Sequence, residues 1–264
     1  MSFSVLGHNL HGNLSNEQRA MPLAHEIVAH DKDVAILSHA FGKEGLDDGV
    51  ADIFRNEGYT MHPVPYEESG TRSEYTHGER DSLLVISRMA LVGAHVARLG
   101  VRNGLVYRVH DPDTNVAVRS VAYHADDRNA ANRDESARAV VSYLSSEEPA
   151  FLCTDLNDMH PDLFVSRLVS SRFLGQTAPF VPFAGHRRIL QRLHEMGTGT
   201  SLGIYNAAGL HDADMSRQPT MPAILPLFQL DHLLTTDDIR VSDFTVEPRS
   251  HNSDHRAISA VLHT

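Results

Sequence analysis

The chain has 264 residues, 41% of them hydrophobic and 22% charged, with a formal net charge of −11 at neutral pH. That length supplies a real core, in one large domain or two small ones, and no apolar run approaches the ~20 residues needed to span a bilayer. The acidic balance removes any general electrostatic pull toward nucleic acid but leaves room for a local basic groove.

The segment Met1 to Asn13 lacks the basic start and apolar core of a signal peptide. The single Cys153 cannot form an internal disulfide. Both features lead us to expect a cytoplasmic protein without membrane association, and nothing in the sequence points to an obligate protein partner. Cys153 lies inside an apolar run, so it reads as a small core residue rather than a nucleophile. Lys32 and Lys43 are the only lysines and every other basic residue is Arg, which suits bidentate phosphate contacts. The 18 His residues are many for this length, and His is both the commonest metal ligand and the proton carrier near neutral pH.

In chain order, Phe3 to Leu6 reads as a strand that ends in Gly7-His8-Asn9-Leu10-His11-Gly12. Ser15-Asn16-Glu17-Gln18 is a capping box, followed by apolar residues at helical spacing. Asp33 to Leu37 is a buried strand ending in Ser38-His39. A helix is predicted from Leu46 to Asn56, with Gly58 as its stop. Tyr59 to Val64 alternates weakly as a strand, Tyr66 to Arg80 is a polar loop, and Leu83 to Ile86 is strand-like. Leu105 to Val109 and Val116 to Tyr123 form a hairpin across Asp111-Pro112-Asp113-Thr114-Asn115. Helix is expected over Arg128 to Leu144, Asp162 to Leu168 and His186 to Met196. Gly197 to Leu202 has a flexible composition. Phe151 to Thr154, Leu230 to Leu234, Ile239 to Val246 and Ala257 to Leu262 are strands. No repeat or linker divides this order, which indicates one α/β domain over residues 1–264, with a mixed sheet or two packed sheets covered by helices.

Several of these strands end in chemically capable side chains: Asn9 and His11, His39, His124, and Asp155 with Asn157. Asp254 and His255 precede the last strand, and Asp231 lies in the strand Leu230 to Leu234. Any one of them alone reads as structural, Asp155-Leu156-Asn157 as an Asx turn for example. Their recurrence is different, because strand ends on one sheet edge converge in space.

These segments resemble the endonuclease/exonuclease/phosphatase superfamily, the deoxyribonuclease I-like fold. The likeness rests on Asn9-Leu10-His11-Gly12, Leu37-Ser38-His39, Val121-Ala122-Tyr123-His124, the Arg-containing helix Arg133 to Leu144, Thr154-Asp155-Leu156-Asn157, Leu230-Asp231-His232 and Ser253-Asp254-His255, and it covers nearly the whole chain in order. The resemblance implies a four-layer α/β sandwich, with two mixed β-sheets packed face to face and helices on both outer faces. It also implies divalent-metal hydrolysis of phosphoesters. Asp155 and Asn157 would orient the attacking water and the scissile phosphate. His255, hydrogen-bonded to Asp231, would be a held imidazole beside the phosphate. His124 would donate a proton or a hydrogen bond to a phosphate oxygen or the leaving group. Asn9 and Arg80 would contact substrate, and Glu79 would support His124.

The sequence departs from the family where the principal metal ligand, a Glu, is replaced by His39. Laid onto the family's metal site, the chain offers His11, His39 and Asp254. Two imidazoles and a carboxylate suit Mn²⁺, Zn²⁺, Fe²⁺, Co²⁺ or Ni²⁺ better than Mg²⁺, which is not excluded. Glu44 could supply the acidic ligand instead, or the metal site is lost. The expected substrate is a phosphodiester of DNA or RNA; a small or lipid phosphoester, or phosphate binding without turnover, are the alternatives. Arg72, Arg80 and Arg128 could line a phosphate groove, and Tyr66, Tyr75 and Tyr123 could stack bases. The Gly209-Leu210-His211-Asp212-Ala213 and Pro219-Thr220-Met221-Pro222 patterns are familiar from bacterial members and name no substrate.

Overall fold

A strand whose residues are buried on both faces needs cover on both sides. Val34–Ser38, Leu83–Ser87, Ala150–Asp155 and Asp231–Thr235 are buried at every position. The computed structural model, which describes residues 1–10, 14, 17–41, 45–64, 82–126, 129–145, 147–158, 200–214, 218–221, 229–248 and 253–264, shows how that cover is supplied.

The strands are β1 (Ser2–Asn9), β2 (Val34–Ser38), β3 (Thr60–Val64), β4 (Leu83–Ser87), β5 (Ala90–Leu99), β6 (Arg102–Asp111), β7 (Val116–Ala122), β8 (Ala150–Asp155), β9 (His211–Asp212), β10 (Asp231–Thr235), β11 (Arg240–Val246) and β12 (Ile258–His263). The helices among the described residues are α1 (Glu17–Ala29), α2 (Asp48–Asn56), α3 (Ala130–Leu144) and α4 (Ser201–Ala207). One six-stranded sheet runs β11-β12-β1-β2-β4-β3 and the other β5-β6-β7-β8-β10-β9.

Alternation along the strands sorts the apolar side chains into three layers. Val5, Ile36 and Val85 from the first sheet meet Leu105, Val109, Phe151 and Cys153 from the second. Leu6, Leu37 and Leu84 face outward onto Leu23 and Ile27 of α1 and Val50 and Phe54 of α2. Val121, Leu152 and Leu234 face the other way onto Ala137 and Val140 of α3 and Leu202 and Tyr205 of α4. The molecule is the expected four-layer sandwich, with Phe3 and Phe151 in edge contact at 5.7 Å across the sheet interface. Cys153 is buried in that interface, which pushes its thiol pKa up.

Three local differences from the sequence reading have physical causes. β5 was not expected, because most of its side chains are exposed and no apolar alternation marks it; a register shift between Val92 and His95 surrounds Gly93, whose φ is +65°. The glycine-containing composition that suggested flexibility near residue 201 continues into α4, whose Ser201, Leu202 and Tyr205 are buried. The second helix begins at Asp48 rather than Leu46, because the Asp47 carboxylate accepts from Gly49 N and Val50 N as its cap. The expected helices at 162–168 and 186–196 lie outside the described residues. Among the described residues no helix is long and apolar enough to cross a membrane.

Gly7 shows how closely the sheets approach. A Cβ there would lie 2.5 Å from Cys153 Sγ and 3.3 Å from Ile258 Cγ1. Gly7→Ala is expected to cost about 1–3 kcal/mol by overpacking. Cys153→Ala opens the space, so the double variant should lose less stability than the sum of the two single variants. Urea denaturation of the two single variants and the double variant measures this, and strict additivity would show that the two sites do not touch.

Candidate active site

The register brings the polar strand ends together. β1 is parallel to β2, pairing Asn9 with Ser38, and antiparallel to β12, so the segment entering β12 lies at the Asn9 end. β7 and β8 are parallel, so His124 and Asp155 leave the sheet in the same direction. β10 is antiparallel to β8 and sets Asp231 directly opposite Asp155. Leu10 N to Ser38 O, Ala125 N to Asp155 O and Leu156 N to Leu230 O continue the pairing past the strand ends and hold them in place.

Asp155 is the hub. Its Oδ2 accepts from Asn9 Nδ2 at 3.0 Å and lies 3.3 Å from His124 Nε2 and 3.7 Å from His255 Nε2. Its Oδ1 accepts from the Asn157 backbone N–H at 2.9 Å, closing the Asx turn. Burial alone would raise this carboxyl's pKa, but His255, His124 and Asn9 outweigh it and hold the group ionised, well below the usual range.

His255 stands between two carboxylates. Its Nδ1 is 2.8 Å from Asp231 Oδ2. Burial works against the imidazolium, yet Asp231 and Asp155, with a smaller contribution from exposed Asp254, push its pKa up to about 10. His124 contacts Asp155 on one side, and its ring packs edge-on against the half-buried His39 with centroids 4.3 Å apart. Both His39 (φ +47°) and Asn157 (φ +50°) adopt the left-handed conformation at their strand ends. Such backbone strain persists where surrounding structure over-determines it, commonly at functional sites.

A second layer of buried polar contacts fixes these elements. Thr220 Oγ1 accepts from the backbone N–H of Leu230 at 3.2 Å and of Asp231 at 3.3 Å, and its carbonyl accepts from Arg256 N at 2.9 Å. Ser253 Oγ donates to Asn9 O and accepts from His255 N. His232, fully buried, has Nδ1 2.8 Å from Asp212 Oδ2 and Nε2 3.2 Å from Asp158 O. Both partners only accept, so the ring donates at both nitrogens and is an imidazolium. Burial opposes that charge, and Asp212 overrides the opposition to raise its pKa. Burial likewise pushes the Asp158 carboxyl up, tempered by its bond from Ser201 and by Arg133.

The sequence-predicted residues divide clearly. Asn9, His124, Asp155, Asn157, Asp231 and His255 come together in one buried cluster. His39 lies against it, and Asp254 is exposed at its rim. His11, Glu44, Glu79, Arg80, Arg72, Arg128, Tyr66 and Tyr75 lie outside the described residues. Tyr123 is no stacking platform: it is fully buried, and its hydroxyl is 2.6 Å from that of Tyr205. Sequence reasoning missed Arg102, whose Nη1 is 2.7 Å from His124 Nδ1. The sequence pattern starts the strand at Leu105 and assigns Arg102 to a connection, whereas β6 begins at Arg102. It also missed the Asp212–His232 pair, although both residues lie in motifs it had singled out.

Among the described residues, one ligand atom each from Asp155, Asp231 and His255 lie within 4.8 Å of one another. Two carboxylates and an imidazole form a donor set that fits a divalent cation once His255 gives up a ring proton to bind it.

The family model "Endonuclease/Exonuclease/phosphatase family" matches residues 6–255. The fold is similar to that of an endonuclease/exonuclease/phosphatase from Beutenbergia cavernae, with TM-score 0.67 and 18% identity, covering 99% of this chain and 71% of that one. It is similar to the human Nocturnin catalytic domain, with TM-score 0.65 and 16% identity over 99% of this chain and 93% of that one. It is also similar to an AP endonuclease from Leishmania major, with TM-score 0.63 and 14% identity over 100% of this chain and 88% of that one. No curated protein matches the chain.

The Thr220 hydroxyl offers a direct check of how Asp231 is held. Thr220→Val keeps the shape and leaves two buried N–H groups without their acceptor. It should destabilise the fold by about 1–3 kcal/mol, while Thr220→Ser retains most of the stability. Urea denaturation midpoints distinguish the two, and equal midpoints would show that the hydroxyl does not support Asp231.

Proposed function

Because the chain belongs to the endonuclease/exonuclease/phosphatase family, and is thereby a phosphoric ester hydrolase, we propose that it is a metal-dependent phosphodiesterase acting as a nuclease on DNA or RNA. The observation that supports this best is the buried Asp155 carboxylate gathered with Asn9, His124 and His255, the last backed by Asp231. In this reading Asp155 and Asn157 orient a water and the scissile phosphate for attack. The His255 imidazolium, held by Asp231, stabilises negative charge on the phosphate. His124 presents a hydrogen-bond donor to a phosphate oxygen or to the leaving oxygen, and Arg80 contacts a flanking phosphate. The substrate class rests on the chain's arginine-rich basic residues and on the likeness to the Leishmania AP endonuclease. The net charge of −11 requires any nucleic-acid contact to be local.

A divalent ion would polarise the phosphoryl oxygen. We place its ligands at His11, His39 and Asp254, the positions that the family resemblance implies; Asp155, Asp231 and His255 are the competing set. The replacement of an acidic ligand by His39 favours a transition metal over Mg²⁺.

Two experiments test these assignments. Asp155→Ala and His255→Ala should each lower hydrolysis of plasmid DNA, single-stranded DNA, RNA and bis-p-nitrophenyl phosphate by about 10³-fold or more under every metal. Saturable binding of these ligands by the wild type without turnover under any metal would instead favour a phosphate-binding protein. For the metal, titration calorimetry should show Mn²⁺ bound more tightly than Mg²⁺. Affinity for Mn²⁺ should fall by about tenfold or more in His39→Ala, and preference should move toward Mg²⁺ in His39→Glu. Full activity with Mg²⁺, unchanged in His39→Ala, would overturn the assignment, and loss of binding only in Asp231→Ala would move the ion to the competing set.

A further inference from the structure

Arg102 opens β6 at the sheet edge that carries the site, and it is half-buried. Its Nη1 lies 2.7 Å from His124 Nδ1 and donates to the His124 carbonyl at 3.3 Å. A guanidinium has only donors. The short ring contact is therefore a hydrogen bond only if Nδ1 carries the lone pair and the ring's proton is on Nε2.

A competing donor faces the other nitrogen. Asn157 Nδ2 is 2.9 Å from His124 Nε2. A neutral imidazole has one lone pair, so Arg102 and Asn157 cannot both be served. Two observations decide for Arg102. Its contact is the shorter and is charge-assisted, which strengthens it. The ionised Asp155 carboxylate, 3.3 Å from Nε2, calls for a donor at that nitrogen. Asn157 Nδ2 can spend one of its two hydrogens on Ala125 O at 3.1 Å whichever tautomer the ring adopts.

We propose that Arg102 is a positioning residue of this active site: by donating to Nδ1 of His124 it fixes the Nε2–H tautomer and makes His124 a hydrogen-bond donor toward the substrate phosphate. The proposal rests on the phosphoester-hydrolase reading for its catalytic consequence. It reverses what a carboxylate at the same place would do. A Glu accepting from Nδ1–H leaves Nε2 unprotonated and poised as a base. A guanidinium at Nδ1 leaves Nε2 with a proton to offer. In the absence of substrate that proton faces Asp155 Oδ2; a phosphate oxygen entering the cluster would compete for it. The packed ring of His39, 4.3 Å away, restricts rotation of His124 out of this orientation.

The ring can be read without turnover. In ¹⁵N-histidine-labelled protein at neutral pH, with the resonance assigned by its loss in His124→Gln, His124 should show an unprotonated Nδ1 and a protonated Nε2. Arg102→Met removes the donor, and Asn157 should then take the lone pair, shifting the ring to Nδ1–H. On bis-p-nitrophenyl phosphate, kcat of that variant should fall by about 10²-fold or more with KM within about threefold. Arg102→Lys, which keeps a cationic donor, should restore Nε2–H and most of kcat. A wild-type ring that is Nδ1–H or doubly protonated would overturn the proposal. So would an Arg102→Met variant that loses thermal stability with its tautomer and kcat unchanged. A wild type without turnover but with the expected tautomer upholds Arg102's control of the ring and counts against the hydrolase reading alone.

Discussion

A carboxylate removed from water must be surrounded by donors, and Asp155 is the point where this protein meets that requirement. Desolvation of one ion costs several kcal/mol. Asn9, the Asn157 backbone and two imidazoles supply the compensation from β1, the turn after β8, the end of β7 and the entry to β12. None of these donors is local except Asn157. The charge can be stable only when both sheets are assembled in register. The site is thus a consequence of the fold's closure, and removing one member leaves the others buried and partly unpaired.

The sheets make this register inevitable. Every residue of β8 and β10 is buried, so a one-residue slip would turn Phe151 and Cys153 out of the inter-sheet core and Leu152 into it. The same pairing that keeps those residues in place sets Asp231 opposite Asp155. Gly7 permits the close approach of β1 to Cys153 and Ile258 near the same end of the sandwich. Packing and chemistry are therefore specified by one set of constraints.

Much of this was legible in the sequence. Apolar runs ending abruptly in Asp, Asn or His mark strands whose ends reach a common edge, and six of the expected site residues do converge there. What was not legible depends on pairing between distant segments. Arg102 gives no local signal, because its meaning comes from His124, twenty-two positions away on the neighbouring strand's exit. Tyr123 reads as a possible platform in the sequence because it is aromatic, but strand alternation carries it to the face opposite His124, where it meets Tyr205 of α4. β5 hides because its side chains are exposed. α4 hides because a glycine-containing sequence is a poor helix by propensity, and burial of Leu202 and Tyr205 overrides that weak preference.

The two adjacent residues Asp231 and His232 show how one dipeptide serves both layers. Successive side chains on a strand point to opposite faces. Asp231 meets His255 on the site side, and His232 meets Asp212 on the other, each at 2.8 Å. The second pair explains a motif that composition alone could not. Gly209, with φ +81°, turns the chain out of α4, Leu210 is buried, and Asp212 then lies in β9 beside β10, opposite Leu234. His232 in turn donates to Asp158 O, at the end of the turn that begins at Asp155. A charge fully enclosed on the helical side of the sheet therefore anchors the backbone whose other end carries the Asp155 carboxylate. The Gly-Leu-x-Asp-Ala and Asp-His segments are coupled because an imidazolium at that depth is tolerable only when a carboxylate is delivered to it, and β9 exists to deliver it.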